Sequence, residues 1–415
     1  MNVEVINTGT ELLLGNVINS HLPFLARQLF PLGLRIQRQV TVPDGDAIRA
    51  ALVESFGRAE IVLVTGGLGP TTDDITREIT AGLLGVDLDF DPAVMRAIEE
   101  RFTRRQIKIT DRVKRQARVP RGATVLANLH GTAPGLYFDP AQFQKTTSPS
   151  SIIRHLFLLP GPPRELKPMF NDLVVPILTK ALPEGAVPEC RTIRLVGIGE
   201  SNVEAMVGEQ LLAIEGLELG YCARPGEVDV RLIGSHEVVG RAEELVMGLL
   251  NKYVTSRNNR SLEEVLVQEL IHRGKTLATA ESCTGGFLAN RITNVPGASQ
   301  MFVEGFVTYA NEAKSRALFI DAGLIASNGA VSAEVALAMA EAAGRLAGAD
   351  YAISTTGIAG PSGGTDLKPV GTVFIALAAR GAAPVVEKHF FPTDRENFKW
   401  LVTQTGLDML RRHLG

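Results

Sequence analysis

Apolar runs of strand length alternate with amphipathic, helix-length stretches along the first part of the chain. Val3 to Ile6, Arg35 to Val40 and Glu60 to Thr65 read as strands, and His21 to Leu32 and Asp46 to Phe56 as the helices between them. Such alternation predicts a parallel sheet covered by helices on both faces. Charged helical stretches follow from Pro92 to Gln116, and a β segment returns to end in His155-Leu156-Phe157-Leu158-Leu159-Pro160. The polar stretch Gln144 to Ser151 reads as a mobile hairpin loop. Pro160-Gly161-Pro162-Pro163 stops the sheet, and Arg164 to Ala181 makes a closing helix.

Leu182 to Pro188 carries proline and glycine and reads as a linker. A short α+β block follows. Arg191 to Val196, Leu217 to Cys222 and Val228 to Ile233 are its strands, with a helix opened by Ser201-x-x-Glu204 and another from Val238 to Tyr253. The polar run Thr255 to Arg260 reads as a second linker, and Ser261-x-x-Glu264 as the capping box that opens the last domain. Beyond it the pattern predicts strands at Lys275 to Ala280, Phe302 to Thr308, Tyr351 to Thr355, Val370 to Leu377 and Val385 to Phe390. Helices are predicted at Phe287 to Asn294, Glu312 to Phe319, from the Ser332 cap to Leu346, and from Arg395 to Arg412. The boundaries are therefore 1–182, 188–254 and 260–415, in an α/β chain with a small α+β middle.

Composition narrows the function. Lys plus Arg number 42 against 45 Asp plus Glu, so a net charge of −3 gives no electrostatic case for nucleic acid. No apolar run is long enough for a bilayer, and Met1 to Gly9 lacks the basic start and apolar core of a signal peptide. Cys190, Cys222 and Cys283 contain no close pair, which argues against a disulfide framework or a thiolate zinc site and fits a reducing, cytoplasmic setting.

The richest chemistry lies at Ala280-Glu281-Ser282-Cys283-Thr284-Gly285-Gly286, where a strand bends into a helix. Ser282 is a weak nucleophile until something takes its proton. Lys314 in Tyr309-Ala310-Asn311-Glu312-Ala313-Lys314 serves if burial or a neighbouring cation lowers its pKa, since only the neutral amine is a base. Tyr309 is placed to relay a proton or hold substrate. Backbone donors at Gly285-Gly286, or in Thr356-Gly357-Ile358-Ala359-Gly360-Pro361, suit an oxyanion or a substrate phosphate. These parts fit attack on an amide or ester carbonyl. Two plainer readings stand beside this one: Ser282 as a helix cap and Lys314 as a solvated surface charge. Cys283 is an alternative nucleophile, but it lacks a nearby histidine, and a small, buried apolar role suits it better.

The first part offers two loops at strand ends, Asn7-Thr8-Gly9-Thr10-Glu11 and Thr65-Gly66-Gly67-Leu68-Gly69-Pro70-Thr71-Thr72-Asp73-Asp74. In a parallel sheet both open onto one crevice. The glycines suit a phosphate, and adjacent Asp73 and Asp74 suit a hard divalent cation, although acidic residues also favour a helix N-terminus for its own sake. Neither a dinucleotide fingerprint nor a P-loop is present.

With these residues in view, the last domain resembles the C-terminal domain of the CinA family. The resemblance rests on the serine turn, Val295-Pro296-Gly297-Ala298-Ser299, Tyr309-x-Asn311-x-x-Lys314, Thr356 to Pro361 and Gly371-Thr372-Val373. It implies a nicotinamide-nucleotide amidohydrolase of pyridine-nucleotide salvage that needs no cofactor. Ser282 would be the nucleophile, Lys314 its base and Tyr309 a partner. Thr284, Gly285, Gly286, Asn311, Thr356, Gly357, Ile358, Ala359, Gly360 and Arg395 would bind substrate, Arg395 at the phosphate.

Val3 to Leu178, including Val42-Pro43-Asp44, is similar to the molybdopterin-binding fold. In the long, fused members this implies an ADP-ribose pyrophosphatase that uses Mg, Mn or Co. Asp44, Asp73 and Asp74 would be the metal or catalytic carboxylates, with Glu11 behind them, and Gly67 and Gly69 would approach the pyrophosphate. The middle block has a KH-like element order without a Gly-x-x-Gly loop between helices, and reads as a spacer or dimer element. The family further implies a homodimer acting on nicotinamide mononucleotide and ADP-ribose. The rival reading is a pterin-binding or regulatory protein with a vestigial C-terminal site.

Overall fold

The computed structural model describes residues 1–140, 151–182 and 187–415; the loop expected at 144–150 and linker residues 183–186 lie outside them. The chain divides into two compact units, Met1–Val187 and Pro188–Gly415.

The strands described in the first unit are β1 (Asn2–Thr8), β2 (Arg35–Val42), β3 (Ile61–Thr65), β4 (Leu88–Phe90), β5 (Arg118–Pro120), β6 (Thr124–Leu126), β7 (Gly135–Phe138) and β8 (His155–Leu159). Six of them form a sheet in the order β2-β1-β3-β8-β7-β6. The pairs β1–β2, β1–β3 and β3–β8 are parallel, and β7 and β6 continue antiparallel at one edge. Every residue of β3 and β8 is buried, as expected for strands covered on both faces. Their side chains alternate between two cores: Val62, Val64, Leu156 and Leu158 on one face, Ile61, Leu63, Phe157 and Leu159 on the other. The closing helix is not continuous. It runs Pro163–Met169, widens into a π-helical turn at Phe170–Val174, and resumes at Val175–Ala181. Pro168 and Pro176 lack the N–H a regular helix needs, so the ladder is broken on both sides of that turn.

The second unit opens with β9 (Glu189–Val196), β10 (Glu218–Arg224), β11 (Glu227–Gly234) and β12 (Val254–Ser256) in an antiparallel sheet of order β10-β11-β9-β12. Helices Glu200–Leu212 and His236–Leu250 cover its apolar face. Two expectations change here. The first helix begins at Glu200 behind an extended Gly199, whose carbonyl accepts the N–H groups of Asn202 and Val203. Ser201 is therefore inside the first turn and caps nothing. The polar run 255–260 is also no free linker. Thr255 and Ser256 belong to β12 and are buried, and the Thr255 hydroxyl donates to the Arg194 carbonyl at 3.2 Å. Arg194 in turn donates to the Arg260 carbonyl and to Asn259 Oδ1. These polar groups bond to β9 instead of water, which composition alone does not reveal. The Ser261/Glu264 box does form, with both reciprocal hydrogen bonds present.

The last five strands are β13 (Leu277–Glu281), β14 (Phe302–Val307), β15 (Tyr351–Gly357), β16 (Thr372–Ala379) and β17 (Val385–Phe390), in the order β14-β13-β15-β16-β17. β13 runs parallel to β14 and β15, while β16 and β17 are antiparallel additions. Helix Ala333–Ala347 packs its small residues Ala336, Ala340 and Ala343 on one face. Helices Leu262–His272 and Arg395–Leu414 cover the other. The three parallel strands send their carboxyl ends to a single edge, so the loops after them meet there.

Candidate functional site

Ser282 follows β13, Tyr309 follows β14 and Ile358 follows β15. Register brings them together: the Ser282 N–H donates to the Thr355 carbonyl at 2.9 Å, and the Thr308 N–H to the Glu281 carbonyl at 2.8 Å. Lys314 sits on the first turn of helix Asn311–Leu318, immediately after β14. Its Nζ lies 3.1 Å from Ser282 Oγ, 3.0 Å from the Thr308 carbonyl and 3.5 Å from the Tyr309 carbonyl. The side chain is 1% exposed and has no ion-pair partner among the described residues.

This environment disfavours the charged form. An ammonium buried without an anion is costly, so the group lowers its pKa, and burial indeed pulls Lys314 below its ordinary 10.5. A neutral amine has two N–H donors and one lone pair. Two carbonyls, of Thr308 and Tyr309, take the donors, and the lone pair is left for the Ser282 hydroxyl proton. Neither plainer reading survives this geometry: Lys314 is not a surface charge, and Ser282 is no cap of helix Phe287–Thr293. Burial pushes the Cys283 thiol up to about 12, which keeps it protonated and apolar instead of nucleophilic.

The helix after the serine turn is capped from inside by Glu281, a residue whose role the sequence left unassigned. Its buried carboxylate accepts the N–H groups of Gly286, Leu288 and Ala289 at 3.0, 2.9 and 2.8 Å. The expected oxyanion donors are corrected as a result. The Gly286 N–H is held by Glu281, and the Gly285 N–H donates to the Ser282 carbonyl at 3.1 Å. Both glycines are needed for backbone shape, at φ of +62° and +91°. Among the described residues, the N–H groups of Thr284, Ala359 and Gly360 carry no backbone hydrogen bond. They are the donors this loop cluster leaves for a ligand oxygen.

Other expected residues take varied places. The Thr284 hydroxyl bonds to Thr355 Oγ1 at 2.7 Å beneath the turn, and the Thr356 hydroxyl donates to the Ala330 carbonyl. Both are buried and structural. Gly357 lacks room for a Cβ against Val373, and the Ile358 N–H closes onto the Thr372 carbonyl. Asn311 is exposed at the helix start. Arg395 reaches across to donate to the Gly360 carbonyl at 2.9 Å and to the Tyr309 hydroxyl at 2.6 Å, so two expected substrate contacts are physically joined.

In the first unit, the carboxyl ends of β1, β2, β3 and β8 open onto a cavity of about 520 Å³. Glu11, Asp44, Gly67, Gly69, Asp73 and Asp74 all line it. Gly67 and Gly69 are glycines because a Cβ would collide with Thr76 and Asp74 respectively. Asp44 accepts from the Thr10 N–H and hydroxyl at 3.1 and 3.2 Å, and Asp74 from the Thr71 N–H and hydroxyl. Hydrogen bonding, first from Thr71, holds exposed Asp73 below the usual aspartate value. Among the described residues no three His, Cys, Asp or Glu side chains converge as a metal cage. Beside the acids lies a buried polar network that sequence reading missed. Asn7 joins Thr65, Asn19 and Gln39, and His21 Nδ1 sits 3.2 Å from Thr65 Oγ1. Burial lowers the His21 pKa, so it is a neutral part of the cavity wall.

Comparison with known proteins covers the whole chain. Residues 259–414 match the family described as the CinA C-terminal domain, 190–256 the damage-inducible protein CinA KH domain, and 4–180 the "Probable molybdopterin binding domain". A CinA-like protein of Akkermansia muciniphila is 47% identical over 407 residues, covering 98% of this chain and 96% of that one. A CinA-like protein of Kosmotoga olearia is 37% identical over 422 residues, 100% of this chain and 99% of the other. Among solved structures, competence/damage inducible protein CihA from Agrobacterium tumefaciens is 36% identical, covers 37% of this chain and 95% of its own, and superposes with a TM-score of 0.35.

Proposed function

Because this chain belongs to the CinA family, we propose that its C-terminal domain hydrolyses the amide of nicotinamide mononucleotide, giving nicotinic acid mononucleotide and ammonia. The observation that carries this reading is the Lys314 amine, buried without an acid and 3.1 Å from Ser282 Oγ. Oγ attacks the amide carbon as Lys314 takes its proton. The tetrahedral intermediate then collapses: the C–N bond breaks, Lys314 returns the proton to the leaving nitrogen, and an ester remains on Ser282. Water attacks that ester, Lys314 accepting its proton and passing it back to Oγ as the acid leaves. The N–H groups of Thr284, Ala359 and Gly360 support the reading, since an amide oxyanion needs such donors. A vestigial site would not be expected to keep an unpaired lysine buried against a hydroxyl. Ammonia release by the purified full chain tests the proposal, and its absence with intact folding would end it.

For the N-terminal domain we propose hydrolysis of the ADP-ribose pyrophosphate with a divalent cation, Mg, Mn or Co. The lining of one cavity by glycine turns and by carboxylates that include Glu11, Asp44, Asp73 and Asp74 favours it. The acids suit a cation carried in on phosphate oxygens and water, held by one or two carboxylates, better than a complete protein cage. One or two of Asp44, Asp73 and Asp74 would hold it, and such a cation would neutralise phosphate charge. Cleavage of ADP-ribose with and without chelator is the test. No described helix is long and apolar enough to cross a membrane. A cytoplasmic homodimer with small nucleotides, not nucleic acid, as ligands completes the proposal, to be checked by fractionation and sedimentation.

A further inference from the structure

Lys399 has no role in the reading above, yet it stands at the mouth of the serine turn. It lies one helical turn after Arg395 on helix Arg395–Leu414, a spacing that puts both side chains on one face. Its Nζ is 5.5 Å from the centroid of the Phe287 ring, and 4.0 Å from where a Cβ on Gly285 would stand. Arg395 is anchored on the other side of the same loops, through Tyr309 and the Gly360 carbonyl. Those two bonds use two of five guanidinium N–H groups, which leaves three donors.

Neither cation forms an ion pair with a described residue, whereas Arg291 on the neighbouring helix is paired with Glu263. The acids nearby are spent elsewhere. Asp394 caps its own helix through the N–H groups of Glu396 and Asn397, and the Glu281 carboxylate, from the end of β13, caps the helix beyond Gly286, while exposed Glu396, three residues before Lys399, makes no ion pair with it. Two like charges four residues apart repel one another, so the pair is stabilised when an anion arrives. A phosphate monoester matches it: its oxygens accept both from a planar fork and from a point ammonium.

We infer that Lys399, together with Arg395, clamps the phosphate of the nucleotide substrate and sets the preference for mononucleotide over nucleoside. This rests on the proposed amidohydrolase reading for the identity of the ligand. The decisive measurement is calorimetric binding of nicotinamide mononucleotide and of nicotinamide riboside to the full-length Ser282→Ala protein. It is repeated with Lys399→Ala and Lys399→Arg added. Loss of one charge-assisted bond should reduce the ratio of the two affinities about 10- to 100-fold in Lys399→Ala. Lys399→Arg should restore most of it, and inorganic phosphate should compete with the mononucleotide only while residue 399 is cationic. An unchanged ratio, or equal weakening of both ligands, would overturn the clamp. The two claims separate cleanly. Selective binding without ammonia release by the wild-type chain would sink the amidohydrolase and leave the clamp, whereas ammonia release with an unchanged ratio would sink only the clamp. Binding of neither ligand would sink both.

Discussion

The two units both place their chemistry at the carboxyl edge of parallel strands, but they hold charge in opposite ways. In the first, Asp44, Asp73, Asp74 and Glu11 line an open cavity, and Asp44 and Asp74 are already satisfied by threonine hydroxyls and backbone N–H groups. Glu11 and Asp73 are also exposed to water. In the second, Lys314 is 1% exposed and its Nζ bonds to carbonyls and a hydroxyl with no carboxylate beside it. Its charge is expensive there, and burial lowers its pKa, which is what the proposed role as a base requires. The contrast teaches that similar topology can present exposed carboxylates at one strand edge and a buried amine at another, and the two proposed activities would draw on that difference.

Breaking the second site should have the largest effect. Ser282→Ala and Lys314→Ala are each expected to lower ammonia release by about a thousandfold or more, and the double variant little further, because the two act as one unit. Lys314→Arg should be as inactive as Lys314→Ala, since a guanidinium does not deprotonate. Near-normal ammonia release from Ser282→Ala would dismiss the nucleophile. ADP-ribose cleavage should be untouched by all three variants.

The reciprocal break sharpens the same comparison. Chelation should stop ADP-ribose cleavage and spare ammonia release, and Asp74→Asn should slow cleavage by about one to two orders of magnitude. Cleavage that continues after exhaustive chelation would remove the cation from the account.

Smaller effects concern the ground under the second site. The middle sheet is tied to the last domain through Arg194 and Arg260, and the Trp400 indole N–H donates to the Pro225 carbonyl at 2.9 Å. A fragment spanning 188–415 should therefore match the full chain in ammonia release. One starting at 260 should keep activity but lose about 1–3 kcal/mol of stability in denaturant melts. Equal midpoints for the two fragments would show those ties to be idle. Cys283→Ala should be milder still, about 1 kcal/mol with activity retained; an inactive variant would return the thiol to the mechanism.

Much of this was legible in the residues, for reasons that also mark where reading stops. Strands such as Ile61–Thr65 and Leu277–Glu281 are buried throughout because both faces are covered, and the apolar residues that open them mark them as strands. The serine and lysine were legible as candidates because their chemistry requires those residue types. Their pairing was expected on condition that Lys314 is buried, and from the family resemblance; the contact itself depends on the parallel register of β13 and β14 and on a burial that no local pattern encodes. The same limit explains Ser201, where spacing matched a cap but Gly199 supplied the extended backbone first. It also explains residues 255–260, whose polarity serves a sheet edge. Glu281 looks like an ordinary polar residue at a strand end, and only the turn that follows makes it a helix cap.

The central claim is that a dry, neutral lysine makes Ser282 reactive, and the pH dependence of kcat/KM for ammonia release tests it most directly. The sign follows from burial. The folded pKa of Lys314 lies below the unfolded one, so the folded state releases this proton first. Between the two values the unfolded chain binds more protons, and the lysine's cost to stability shrinks as pH rises. Activity should follow the neutral fraction: a plateau at high pH and a fall with unit slope as pH drops through the folded Lys314 value, below 10.5. Ammonia release that is independent of pH throughout the range where the protein stays folded, or that rises as pH falls, would contradict the account.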